Sequence, residues 1–213
     1  MMFRAAVYVL LGMPLISWGA ASSQQELQAA LRATPDAEHG QQLFVACLAC
    51  HSADGGGSRD GSVPAIAGQH VGVIVKQLVD FRHNNRWDIR MERYSSDHVL
   101  TNAGDIAAVA AYVSTLPERP AGAVGVSVES AGARQLFDRL CASCHGSSAD
   151  GDNTARVPRL AGQNHWYLLR QMQYALESRR PNLSRDHAAL LKRFEMADLE
   201  DMARYLERLK STP

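Results

Sequence analysis

The pentapeptide Cys47-Leu48-Ala49-Cys50-His51 returns 94 positions later as Cys141-Ala142-Ser143-Cys144-His145. This duplication constrains the fold more than any other feature, because self-similarity at a fixed spacing means one structural unit built twice. The copies agree beyond the cysteines. Pro64-Ala65-Ile66-Ala67-Gly68-Gln69 recurs as Pro158-Arg159-Leu160-Ala161-Gly162-Gln163, so the proline follows its histidine at the same distance in each half. Arg86 and Arg180 keep the same offset. Near the end of each half the offset becomes 93, where Ile106, Val109, Val113 and Leu116 match Leu199, Met202, Leu206 and Leu209, with Tyr112 against Tyr205. That spacing is the apolar stripe of an amphipathic helix, and Asp105 and Asp198 stand where a first turn favours a negative charge.

No segment shows the alternation of a strand, so the fold class expected is all-α. The Pro- and Gly-rich run from Pro117 to Gly125 reads as a linker. The expected organisation is a first domain over 24–116, a linker over 117–129 and a second domain over 130–213. Domains this small bury a modest core and gain from a prosthetic group at their centre.

Cys-x-x-Cys-His is the attachment pattern of haem c. Cysteines one helical turn apart offer both thiols to one porphyrin edge, and the following histidine turns its imidazole to the iron. Cys47, Cys50, Cys141 and Cys144 are thus the expected thioether residues, and His51 and His145 the proximal ligands of two haems. A redox-active dithiol, a zinc knuckle or plain disulfides would also use closely spaced cysteines. None of them asks for a proline at one fixed distance downstream, twice. Leu43-Phe44 and Leu136-Phe137 precede the motifs and are expected to pack on the ring and the final helix.

The first residues read as an export signal: Arg4, an apolar stretch from Ala5 to Trp18, then Gly19-Ala20-Ala21-Ser22. A signal over 1–21, cleaved near Ala20 or Ala21, places the mature chain in the periplasm. That apolar stretch falls short of the roughly 20 residues that span a bilayer, so membrane association is expected only if the signal stays uncleaved. The 22 basic and 22 acidic residues balance, which argues against a nucleic-acid partner.

With paired Cys-x-x-Cys-His motifs, paired Pro-x-x-Ala-Gly-Gln segments and paired C-terminal helices from about Gly40 to Leu209, the chain resembles the cytochrome c4 family. The resemblance implies two tandem class I cytochrome c domains, each wrapped around a covalent haem. It implies that the carbonyls of Pro64 and Pro158 accept hydrogen bonds from His51 and His145, fixing the imidazoles and raising their basicity. It also implies a Met as sixth ligand, well downstream of the proximal His and ahead of the last helix. Met91 stands at that place after His51 and is the one Met of mature domain one; His98 and His83 are the alternatives there.

Domain two departs from that pattern, since no Met stands at the matching place. His187 follows His145 at nearly the spacing by which Met91 follows His51, and it becomes the expected ligand. Met196 competes with it, while Met172 and Met202 read as core, and the sixth position could also be empty. Arg86 and Arg180 are expected to pair with haem propionates or to lie in solvent. Gln69 and Gln163 either bond propionates or start helices, and Trp87, Trp166 and Tyr167 line haem edges or the domain boundary.

These expectations describe an electron carrier with one Met/His haem and one bis-His haem, rather than a catalyst. Its partners would be redox proteins such as a membrane cytochrome complex, a terminal oxidase or a periplasmic reductase. The alternative is a peroxidase-like dihaem oxidoreductase with an open or displaceable position at the second haem.

Overall fold

The computed structural model describes residues 18–118 and 131–209. The apolar start of the expected export signal, residues 1–17, and most of the expected linker lie outside the described residues. Among the described residues twelve helical segments carry the fold and no strand forms, only an isolated bridge between Asp152 and Val157.

In the first half, α1 (Trp18–Arg32) and α2 (Ala37–Phe44) lead through a 3-10 turn at Val45–Cys47 into the short α3 (Leu48–His51). Then come α4 (Val71–Arg82), α5 (Ile89–Ser95) and α6 (Ala103–Thr115). The second half repeats the series as α7 (Ala131–Leu140), α8 (Ala142–His145), α9 (His165–Leu176), α10 (Arg185–Leu191) and α11 (Met196–Arg208). Helix α1 has no copy among the described residues of the second half.

Local chemistry sets most of these boundaries. Asp36 caps α2 by accepting from the Glu38 and His39 amides, both at 3.0 Å. Asn102 caps α6, accepting from Gly104 and Asp105 at 2.7 and 3.1 Å, and Ser184 caps α10 through the His187 amide. The expected first-turn acids do more than complement a dipole. Asp105 accepts from the Thr101 amide and hydroxyl and from His39 Nε2, tying α6 to α2. Asp198 accepts from the Glu195 amide at the start of α11.

Two separate cores result. Ile106, Val109 and Val113 are buried in the first, and Leu199, Met202 and Leu206 in the second, with Leu116 and Leu209 half-buried at the edge of each. The phenylalanines before the motifs anchor both cores. Phe44 meets Tyr112 at 5.3 Å between ring centres, and Phe137 meets Tyr205 at 5.9 Å, both tilted as aromatic pairs prefer.

Where α2 crosses α6, Gly40 lets the backbones touch: a Cβ there would stand 2.0 Å from the Ala108 carbonyl oxygen. Domain two carries Ala133 at the matching place, buried in its core. Gly40→Ala is therefore expected to destabilise the holoprotein by about 2 kcal/mol, the scale of core overpacking. A lowered Tm would register this, and an unchanged Tm would contradict the close crossing.

Candidate functional site

Each Cys-x-x-Cys-His motif spans a one-turn helix that is stopped by a residue in the left-handed region, Ser52 at φ 65° and Gly146 at φ 78°. The chain then turns back on itself. Gly57 donates its amide to the His51 carbonyl at 3.0 Å, and Gly151 does the same for His145 at 2.8 Å. Both glycines have positive φ, and a Cβ on either would collide with backbone, 2.4 Å from the Pro64 oxygen or the Val157 oxygen. Only glycine permits this return.

The return places a proline carbonyl beside each histidine. His51 Nδ1 lies 3.1 Å from Pro64 O, and His145 Nδ1 lies 3.1 Å from Pro158 O. An Nδ1–H donating to a carbonyl fixes the tautomer and leaves the Nε2 lone pair for a metal. Burial pushes the pKa of both imidazoles down, which keeps them in the neutral, ligating form.

None of the four cysteines is in a disulfide. Burial first, then the neighbouring Cys50, pushes the Cys47 thiol up to about 11, and burial and Cys144 raise Cys141. A redox-active dithiol needs the opposite shift. Among the described residues no three His, Cys, Asp or Glu side chains gather as a metal cage.

A cavity of 510 Å³ opens over Cys47, Cys50 and His51 and is walled on its far side by domain two, through Tyr167 and Arg180 among others, a volume in the range of cofactor pockets. Met91 lines it, half-buried on α5, whose Asp88 cap accepts from the Arg90 and Met91 amides. The two alternatives for that position lie elsewhere. His98 has a 93% exposed side chain, and His83 bonds Glu26 through Nε2 at 2.7 Å.

In domain two the rings of His145 and His187 face each other at 6.2 Å between centres. Two imidazoles sharing one metal, with bonds of about 2 Å each, leave ring centres about 6 Å apart. His187 Nδ1 is buried without a hydrogen-bond partner among the described residues, so this imidazole is not committed to another protein group. Burial and then Arg180 lower its pKa. Met196, the competing ligand, is 44% exposed at the start of α11, while Met202 is core and Met172 packs against it.

The expected propionate partners are not surface residues. Arg86 is 8% exposed and donates to Gln77, to Tyr167 and to Gln171, the last two in the other domain. Arg180 has a buried, unpartnered Nε, and its pKa is pushed down to about 10 by burial first and by the neighbouring Arg86. Both line the cavity, and neither makes an ion pair with a carboxylate among the described residues. Two adjacent guanidiniums lining one cavity, with the Asp80 carboxylate acting on Arg180, fit propionates at the domain boundary.

Gln69 and Gln163 took a role that the sequence did not disclose. Gln163 donates to the Ala65 carbonyl at 2.8 Å and accepts from its amide at 3.1 Å. Gln69 makes the same pair with Arg159, each bond at 3.0 Å. Since Ala65 and Arg159 are themselves 94 apart, the domains meet through a pseudo-two-fold exchange. The contact is extended by His70 Nε2 to Asp150 O at 2.7 Å and by the Gly72 amide to Asn153 Oδ1. Tyr167 is half-buried at this boundary and accepts from Arg86, whereas Trp87 and Trp166 are exposed.

Two helical domains, each carrying a cysteine pair followed by an imidazole oriented by a proline carbonyl, define a tandem c-type cytochrome. The cytochrome c family model matches residues 37–117 and again 130–210. A cytochrome c4 of Thiocapsa roseopersicina is 31% identical over 76% of this chain and 86% of its own length. A "thiosulfate dehydrogenase electron acceptor" of Stutzerimonas stutzeri is 32% identical over 65% of this chain and 66% of its own. The crystal structure of reduced cytochrome c4 from Pseudomonas stutzeri superposes with a TM-score of 0.70 at 25% identity, covering 83% of this chain and all of that one. The chain belongs to the cytochrome c4 family of dihaem electron-transfer proteins, with two covalently bound haems c.

Gln163→Leu would leave the Ala65 amide and carbonyl unpaired inside the domain boundary, at a cost of about 2 kcal/mol. The expected result in calorimetry is a split of the unfolding curve, one domain melting ahead of the other. A single transition at the wild-type Tm would show that the glutamine pairs do not couple the domains.

Proposed function

We propose that this cytochrome carries single electrons between redox proteins in the periplasm, using two haems of unlike potential. Haem one is attached through Cys47 and Cys50 and held by His51 and Met91. Haem two is attached through Cys141 and Cys144 and held by His145 and His187. The observation that carries the asymmetry is the His145–His187 ring pair at 6.2 Å, with an unpartnered nitrogen on His187.

When bound, each haem supplies an iron that cycles between ferric and ferrous forms. The residues around it decide where an electron rests. A thioether such as that of Met91 favours the reduced state, while the stronger donor imidazole of His187 favours the oxidised one, so domain one takes the higher potential. Pro64 and Pro158 hold the proximal rings in register, which keeps reorganisation on electron transfer small. Arg86 and Arg180 compensate propionate charge at the boundary, where Tyr167 helps to exclude water.

An exported location is supported by the N-terminal residues 1–21, and no described helix is long and apolar enough to cross a membrane. Redox proteins are the natural partners. The relative named as an acceptor of electrons from thiosulfate dehydrogenase offers one class of donor. With filled sixth positions in both domains, no open site is left for peroxide chemistry.

A spectroscopic redox titration of wild type and His187→Ala tests this. Two separated potentials are expected, with only the lower-potential haem turning high-spin in the variant. Equal potentials, or a Met–iron charge-transfer band from both haems, would contradict unlike ligation.

A further inference from the structure

Helix α1 docks on α4 and α6 through Ser23, Leu27 and Ala30, three buried positions on one helical face. Beside that face, Glu26 reaches the end of α4. There it pairs with Arg82, and its second oxygen accepts from His83 Nε2 at 2.7 Å.

Arg82 is the centre of this cluster, with an 11% exposed side chain. Its Nε donates to the Ser95 carbonyl at 2.6 Å, its Nη2 donates to the Leu100 carbonyl, and its Nη1 donates to Glu26. Ser95 is the last residue of α5, the helix that carries Met91, and it is fully buried. Leu100, also buried, lies in the turn that leads into α6. One guanidinium thus fastens the far end of the Met91 helix, the turn after it and the N-terminal helix together. Its planar fork suits three acceptors held at fixed angles. The last carbonyls of a helix lack partners within it, so a cation there is also electrostatically favourable.

Among the described residues, domain two has no counterpart of this cluster. Leu176 stands where Arg82 would be, an apolar side chain that can donate no hydrogen bond to the end of α10. The difference follows the ligands. A neutral thioether binds metal weakly and holds its place only if the protein holds the segment bearing it. Helix α5 has only seven residues and is too short to be stable on its own.

We propose that Glu26, acting through Arg82, is a positioning residue that locks α5 and so sets how firmly haem one keeps Met91 as its sixth ligand. The proposal rests on the assignment of Met91 above, and it makes α1 part of the first haem site.

The test is displacement of the Met–iron band by imidazole in the ferric holoprotein, for wild type, Glu26→Gln and Arg82→Leu. Glu26→Gln keeps shape and one acceptor oxygen for Arg82, so folding is retained while the charge and the second acceptor are lost. The band is expected to persist without imidazole in both variants. Its half-displacement should occur at an imidazole concentration about tenfold lower, the scale of one weakened charged hydrogen bond. The spectrum of haem two should stay unchanged. Unaltered imidazole midpoints in both variants, even with a lowered Tm, would overturn the brace and leave Met91 in place. A wild-type protein without any Met–iron band, or one whose band survives in Met91→Leu, would overturn the Met91 assignment and the brace with it.

Discussion

The bond from a histidine Nδ1 to the carbonyl of a proline further along the chain is the constraint on which each half depends. It selects the tautomer that leaves Nε2 free, and it joins the motif helix to the loop that walls the haem. The geometry needs a reversal of the chain that only glycine allows, at Gly57 and Gly151. It needs a neutral imidazole, which burial supplies. The two cores then form around what the loops enclose, and small domains acquire an interior larger than their own side chains could fill.

Duplication explains the way the halves meet. Each loop that carries the proline also carries the glutamine that binds the other loop's backbone, so one sequence unit supplies both the ligand support and the interface. The same boundary gathers Arg86, Arg180 and Tyr167, which brings the matching arginines of both domains to one place. The copies diverge on the side of α5 and α10. There Met91 faces one cavity and His187 another ring, and α1 with Glu26 and Arg82 serves one domain alone.

Much of this was legible in the residues. The all-helical class, the two haems and the family followed from a motif repeated at constant spacing, because covalent attachment and helix periodicity both write themselves into local sequence. Relations between distant segments were not legible. Gln69 and Gln163 were visible as a pair, yet their partners lie 90 and 98 positions away and are backbone atoms that no side-chain pattern reveals. Arg86 and Arg180 were ambiguous for the same reason, since burial at a domain boundary depends on how the halves pack. Helix α1 escaped notice because it has no second copy and buries only Ser23, Leu27 and Ala30. The repeat of Gly57 at Gly151, each at the same distance from its histidine, was a signal that could have disclosed the loop geometry.

Intact mass of the matured protein under denaturing conditions tests the central claim most directly, because only thioether-linked haem survives unfolding. The account predicts a mass exceeding that of the polypeptide by two haems. A mass with one haem or none would contradict it.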